Sequence, residues 1–400
     1  MKRQGWGLAR LSGAFFLIFM GTGALQPFLR EYWKELWPGG LRPAWILATV
    51  YFSFAFFRFF SAYTVERLGL ALSIFLGAGG YLAFAAAVAW IESFPALVGV
   101  AVFWGFAASL FWSGSASYVL DSSARDSYGR SSQRMYLGAS GGVILGVIIH
   151  SFLIARGRPS VLPWLAAALA MAGTLCAAGL PRPRAHVAAA SAEGFWRVFR
   201  RFVGGEGALV ALFLMFGAAV YGFFLGQFVS YAKASLGSSW WVMWVNFPFF
   251  VAAAAANLWT GSLSDRIGRR RVFTLGFGAG AAGLVMLAGT GLFLPAAGGA
   301  ERAAVALAIV GGSILMGLQF AMVPTVAMAW VGDNTAPGDR TRAYGMTFTA
   351  RDLGVAVSIV AAAHLASAFS PVWTALVFSV ASFACAVLSL LVGRGASSVE

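Results

Sequence analysis

The sequence predicts an all-α integral membrane protein, with twelve transmembrane helices arranged as two pseudo-symmetric six-helix bundles. Three observations predict it. Hydrophobic residues fill 60% of the 400 positions and aromatic residues 15%, with a mean hydropathy of +0.79, whereas soluble domains are roughly 45–50% apolar. The charged residues, 10% of the chain, punctuate apolar runs of the roughly 20 residues that one bilayer crossing needs. Short polar segments in the first half also return near 200 residues later.

Lys2, Arg3 and Arg10 precede the first apolar run, Leu11 to Phe28. Its length also suits a signal peptide, but no convincing small-residue cleavage site follows, and Gln26-Pro27 reads as a helix end at an interface. It is read as helix 1. Helices 2 to 6 are expected at Ala44 to Thr64, Leu70 to Ile91, Phe94 to Leu120, Gln133 to Ile154 and Val161 to Leu180, closing an N-terminal bundle over 1–180. A linker over 181–207 follows, opened by Pro181-Arg182-Pro183-Arg184. Within it Phe195, Phe199 and Phe202 share one helical face, with Arg197, Arg200 and Arg201 spread elsewhere. That pattern predicts an amphipathic helix lying on anionic membrane lipid, or alternatively the start of helix 7. The C-terminal bundle, 208–400, repeats the rhythm at Ala208 to Tyr231, Trp240 to Thr260, Val272 to Leu294, Ala303 to Val331, Ala343 to Ala368 and Val372 to Val392.

A net charge of +14 would suit a nucleic-acid partner if the cations clustered on one water-facing surface. Here they sit between crossings, and nucleic acid is not expected. With an even number of crossings, 19 of the 28 Lys and Arg residues fall on the side of the termini and seven on the other, leaving Arg58 and Arg351 within helices. The excess places both termini in the cytoplasm of a multi-pass protein of the cytoplasmic membrane. Cys176 and Cys385 both lie in apolar runs and imply neither a disulfide framework nor a metal site. No cofactor is expected.

Ala62 to Gly69 aligns without gaps on Gly261 to Gly268 at an offset of 199, Arg134-Met135-Tyr136 answers Arg342-Ala343-Tyr344, and Cys176 answers Cys385. A six-plus-six repeat follows. Gly261, Asp265, Arg266, Gly268, Arg269 and Arg270 fit the Gly-x-x-x-Asp-Arg-x-Gly-Arg-Arg signature of the major facilitator superfamily, in the second-half position. The first-half copy keeps Arg67 and Gly69 but has Ala62 for the glycine, Glu66 for the aspartate and Leu70-Ala71 for the basic pair. Through helix count, linker and repeat, the chain resembles that superfamily over nearly its whole length, and more particularly its drug and metabolite exporters.

Physically, Gly261 suits close helix approach, Gly268 suits a turn few other residues tolerate, and Asp265 suits the positive end of a neighbouring helix. The resemblance implies a latch, with Asp265 near the start of helix 5 and Glu66 near the start of helix 11. A solvated basic turn that only fixes topology is the alternative. The two halves of the motif are expected to differ, the Asp265 side being tight and the Glu66 side loose.

Charges within apolar runs are costly and mark function. Arg58, Arg351 and Asp352 are such charges, and helices 2 and 11 touch in the resembling fold, so an Arg58 to Asp352 ion pair is expected as an inner gate. The alternative is Arg58 snorkelling to the surface. Asp352 is the one acid well placed for proton coupling, with Asp121 at the end of helix 4 and Glu31 at the outer end of helix 1. His150 and His364 read as packed or interfacial residues. The resemblance implies a cavity lined by helices 1, 4, 7 and 10, which offer Gln26, Trp104, Trp112, Ser113, Ser115, Tyr118, Tyr221, Gln227, Gln319 and Met322. With few fixed charges, a neutral, aromatic or amphipathic small molecule is the expected substrate, carried by a monomer.

Gly278-x-Gly280-x-x-Gly283 matches a dinucleotide fingerprint but follows no strand, so it reads as helix packing. Gly138, Gly141, Gly142 and Gly146 make a similar stripe in helix 5. They resemble the glycine motif of antiporters in the superfamily but lack its proline, which weakens that inference. A membrane enzyme would need clustered acids, histidines or a nucleophile dyad, which this sequence scatters. A transport-dead sensor would be expected to carry an added soluble domain. A secondary transporter is the expected function, with a facilitative carrier or a transport-dead sensor on the same fold as the alternative.

Overall fold

The computed structural model describes residues 2–38, 40–122, 128–181, 200, 205–237, 239–291, 299–334 and 340–391. The expected amphipathic linker helix lies almost wholly outside them, as does the side chain of Asp121. The described residues form twelve rods, all helical. In α1, Lys2–Ile18 continues through a π turn at Phe19–Gly23 and a 3-10 turn at Gln26–Phe28 into Leu29–Tyr32. Then come α2 (Leu41–Leu68), α3 (Leu70–Trp90), α4 (Phe94–Asp121), α5 (Tyr128–Ala155) and α6 (Leu162–Ala178). In α7, Gly205–Gly217 and Ala219–Phe223 run into a π turn at Phe224–Phe228 and end in Val229–Leu236. The rest are α8 (Ser239–Ile267), α9 (Arg269–Thr290), α10 (Gly299–Asp333), α11 (Arg340–Ala368) and α12 (Pro371–Leu391).

Eleven of these are long and apolar enough to cross a membrane. The twelfth, α8, has 29 residues, about 43 Å at 1.5 Å per residue. Its interior carries Asn246, Pro248 and Asn257, and it lies against α5 and α10. It completes the twelve.

The packing is pseudo-symmetric. In the first half α1 lies on α5 and α6, α2 on α4, and α3 on α4 and α6. In the second, α7 lies on α11, α8 on α10, and α9 on α10 and α12. The halves meet along two related seams, α2 with α11 and α5 with α8. Glycines let these rods approach closely. A Cβ on Gly142 or Gly146 would collide with the carbonyls of Phe16 or Met20 in α1, and one on Gly354 in α11 with the carbonyl of Met215 in α7. Gly283 faces the carbonyl of Gly312 in α10 in the same way, and Gly280 faces the Gln319 side chain, while Gly278 packs against nothing, so two of the three fingerprint-like glycines serve helix packing.

The basic turn is shorter than its composition suggests. Gly261 to Ile267 is helical, and the chain turns at Gly268 alone, with φ +90°. Gly69 does the same between α2 and α3 with φ +81°. A side chain at either site would be strained. Gly261 departs from expectation: the space its Cβ would occupy is empty, so it brings no helix close.

Candidate functional site

The α2–α11 seam carries a charged cluster, far inside both helices. Arg58, 5% exposed, pairs through Nη1 with Oδ2 of Asp352, which is wholly buried. Arg351 donates from Nη1 to the other carboxylate oxygen at 3.2 Å. One carboxylate therefore lies between two guanidinium groups. Aromatic faces replace part of the lost hydration. The Arg58 guanidinium lies 4.7 Å from the Phe54 ring centre, with Tyr344 and Phe348 at 5.5 and 5.7 Å, and Arg351 lies 5.4 Å from that of Phe320. Arg58 does not snorkel.

From this cluster toward the face that holds Gly69 and Gly268, the turn face, a small cavity is lined by Ser61, Tyr63, Ser113, Tyr344 and Met346. Beyond it Glu66 Oε1 lies 3.8 Å from Nη2 of Arg342, whose guanidinium stands 5.2 Å from the Tyr63 ring centre. Toward the far face, Tyr51 donates to Gln26 Oε1 at 2.7 Å and meets Tyr221 edge-on at 6.4 Å. Tyr221 stacks on Phe320 at 4.5 Å.

At the far face, α1 is tied to α7. Arg30 Nη1 donates to Gln227 Oε1 at 2.5 Å and reaches the Gly226 carbonyl at 3.4 Å, while Lys233 Nζ donates to Glu31 Oε2 at 2.7 Å. Gly226 and Gln227 belong to the π turn of α7, whose counterpart in α1 begins 205 residues earlier. A π turn breaks the i−4 ladder and re-aims its groups, here presenting a carbonyl to Arg30. The described residues thus bridge the halves at both faces.

The candidate residues fall into three groups. Arg58, Arg351 and Asp352 come together, and Gln26, Trp112, Tyr221 and Gln227 stand at or near the meeting of the halves. Trp112 bonds the Tyr81 hydroxyl at 3.2 Å and lies beside the Tyr136 ring. The second group is packed within one half rather than lining a cavity. Trp104 is stacked on Phe84 at 4.0 Å, the Tyr118 hydroxyl is pressed against Gly7, Gln319 fills the space over Gly280, and Met322 belongs to the core of the second half. Ser115 is wholly buried as well. His150 is packed under Phe28, and His364 stands edge-on to Trp45.

The third group is the motif. Arg269 joins Asp265 Oδ1 at 2.5 Å and Asp333 Oδ2 at 3.1 Å, tying the end of α8 to the end of α10 within the same half. The acid expected to reach α5 pairs instead with Arg269, just beyond the Gly268 turn, and the side chains at the start of α5, 128–133, lie outside those described. Glu66 does face the start of α11. Arg67 and Arg266 are exposed, while Arg270 is half-buried. Sequence reasoning missed Tyr51, the Arg30 and Lys233 bridges and both π turns. Gln26 and Gln227, near the ends of repeat-mate helices, were the available hint.

A family model described as Major Facilitator Superfamily matches residues 11–244 and again 207–399. Among solved structures, a crystal structure of an aspartate-to-alanine variant of the nucleoside transporter NupG has TM-score 0.77 at 14% identity, covering 97% of this chain and 100% of that one. The NupG structure without that change has TM-score 0.75 at 15% identity, covering 96% and 98%. No curated protein matches by sequence. At such identity the likeness to the solved structures is one of fold.

Proposed function

The chain belongs to the Major Facilitator Superfamily, and from that premise we propose that it is a secondary active transporter of a small aromatic or amphipathic molecule, working by alternating access. The observation that carries this reading is the buried Arg58, Asp352 and Arg351 cluster, set in the seam between two bundles that are bridged at both faces. Such a site is enclosed by construction, and opening one face while the other stays bridged gives alternate exposure.

The turn face is the cytoplasmic one, since the arginine excess lies there, and the membrane is the cytoplasmic membrane. The Arg58 to Asp352 pair is the inner gate, closed when the site faces outward and broken when it faces inward. Asp352 is held by two guanidinium groups, so opening this gate parts it from Arg58. The 1–180 and 208–400 bundles move as units about the linker. The stacked Tyr221 and Phe320 with the Tyr51 and Gln26 pair suit a flat ring with polar edges. The nucleosides named for the structural neighbour belong to that class.

Uptake into proteoliposomes, with labelled nucleosides and aromatic metabolites and with or without a proton gradient, tests this. Accumulation only with the gradient supports coupling, and equilibration regardless of it means a facilitative carrier. Ligand binding without any flux would replace the transporter with a sensor.

A further inference from the structure

The charge of the central cluster has a bearing on what is carried. Arg58 and Asp352 neutralise each other, which leaves Arg351 as a net positive charge within the seam. Among the acids whose side chains are described, every other one is placed elsewhere: Glu31 with Lys233, Glu66 by Arg342, Asp265 and Asp333 with Arg269, and Glu35, Glu92 and Glu301 at helix ends or in turns. Nor does Arg351 face lipid. It lies over Phe320 of α10, whose ring stacks on Tyr221 of α7. Its side chain keeps 20% exposure, against 5% for Arg58 and none for Asp352. Only one of its contacts, Nη1 with Asp352 at 3.2 Å, is to an acid.

An unbalanced cation at membrane depth is costly, and an accessible guanidinium edge beside an aromatic wall is a ready receptor for an oxyanion. The small count of fixed charges favours a neutral cargo, but the arrangement of these three reverses that inference. We propose that Arg351 is the specificity-determining residue of the site and that the cargo is an aromatic organic anion, its ring on Tyr221 and Phe320 and its carboxylate or phosphate on the Arg351 guanidinium. The proposal rests on the transporter reading for the word cargo, while the anion site itself stands on geometry alone.

Thermal stabilisation of the purified full chain tests it with matched probes: benzoate, indole-3-acetate and phenyl phosphate against benzamide, indole-3-acetamide and uridine. The anions are expected to bind at least about tenfold more tightly than their neutral partners, the scale of a charge-assisted pair. The carboxylate and phosphate arms show which oxyanion is preferred. Arg351→Gln should abolish that preference, bringing the anions down to the level of their amides, and Arg351→Lys should restore part of it. Equal or tighter binding of the neutral probes, or no binding of any anion, overturns the proposal. The comparison within the native protein decides even if Arg351→Gln misfolds. Anion binding without uptake in proteoliposomes supports the site and fails the transporter reading.

Discussion

The two closures of the molecule are built from different physics. On the turn-face side the halves are held by Arg58 and Asp352, 5% and 0% exposed, under a roof of aromatic rings. At the far face they are held by Lys233 and Glu31, 31% and 10% exposed, and by an arginine on an amide. Both bridge the two halves, but only the first is dry. A buried pair gains little net stability when formed, yet removing one partner costs about 3–5 kcal/mol because a bare charge remains. A partly wetted pair is worth roughly 0–1 kcal/mol and is screened by salt. On the proposed mechanism the dry closure would act as a switch with two well-separated states, and the wet one as a clasp that yields easily.

The largest effect expected from breaking this contrast belongs to Asp352→Asn, which leaves Arg58 and Arg351 facing each other. It should lower stability by about 3–5 kcal/mol, read as a large fall in melting temperature, and abolish uptake. Arg58→Gln should abolish uptake as well. The exchange Arg58→Asp with Asp352→Arg should recover part of the lost activity, because the charges are again opposed. An exchange as inactive as either single change would argue against the pair as a gate.

A smaller effect is expected at the clasp. Lys233→Gln removes the far-face pair and should cost no more than about 1 kcal/mol. It should also make far-face cysteine probes react faster, without loss of fold. Raising the salt concentration should produce the same change in the unmodified protein and narrow the gap between the two. If salt instead exposed the turn face first, the order of strengths argued above would be wrong.

The fold was legible because its two signals are strong: apolar runs of bilayer length, and polar turns repeating at an offset of 199. Helix ends were less so, since helices continue into charged stretches. Arg269, Arg270 and Arg271 open α9 rather than standing in a loop. Helical facing was the weakest part. In α3 the buried positions include Ser73, Gly77 and Gly80, while Leu72, Phe75 and Leu76 are exposed. Lipid is as apolar as a core, so hydrophobic contrast does not mark the inner face, and sequence alone does not show that Trp104, Tyr118, Gln319 and Met322 pack against neighbours of their own half. The Arg58 and Asp352 meeting was legible because a charge at that depth needs a partner and few were on offer. The π turns were not, since no residue pattern in Phe19–Gly23 or Phe224–Phe228 sets them apart from ordinary helix.

The smallest effects concern the two copies of the turn motif, and they separate stability from conformational balance. Asp265 is 65% exposed and joins Arg269 and Asp333 in one network inside the second half. Glu66 is 53% exposed and 3.8 Å from Arg342 across the seam. Each pair is worth at most about 1 kcal/mol at such exposure, but they act on different equilibria. Among the described residues Asp265 meets only its own half, so Asp265→Asn, by loosening α8 from α10, should lower the melting temperature slightly and leave the balance of open forms alone. Glu66→Gln weakens a bridge between halves, so it should leave the melting temperature unchanged and raise the reactivity of turn-face cysteine probes. The tight and loose sides expected of the motif then become an internal brace and a bridge. Were Asp265→Asn to shift the probe reactivity and Glu66→Gln not, the latch would lie on the α5–α8 seam after all, and the brace would be a by-product of it.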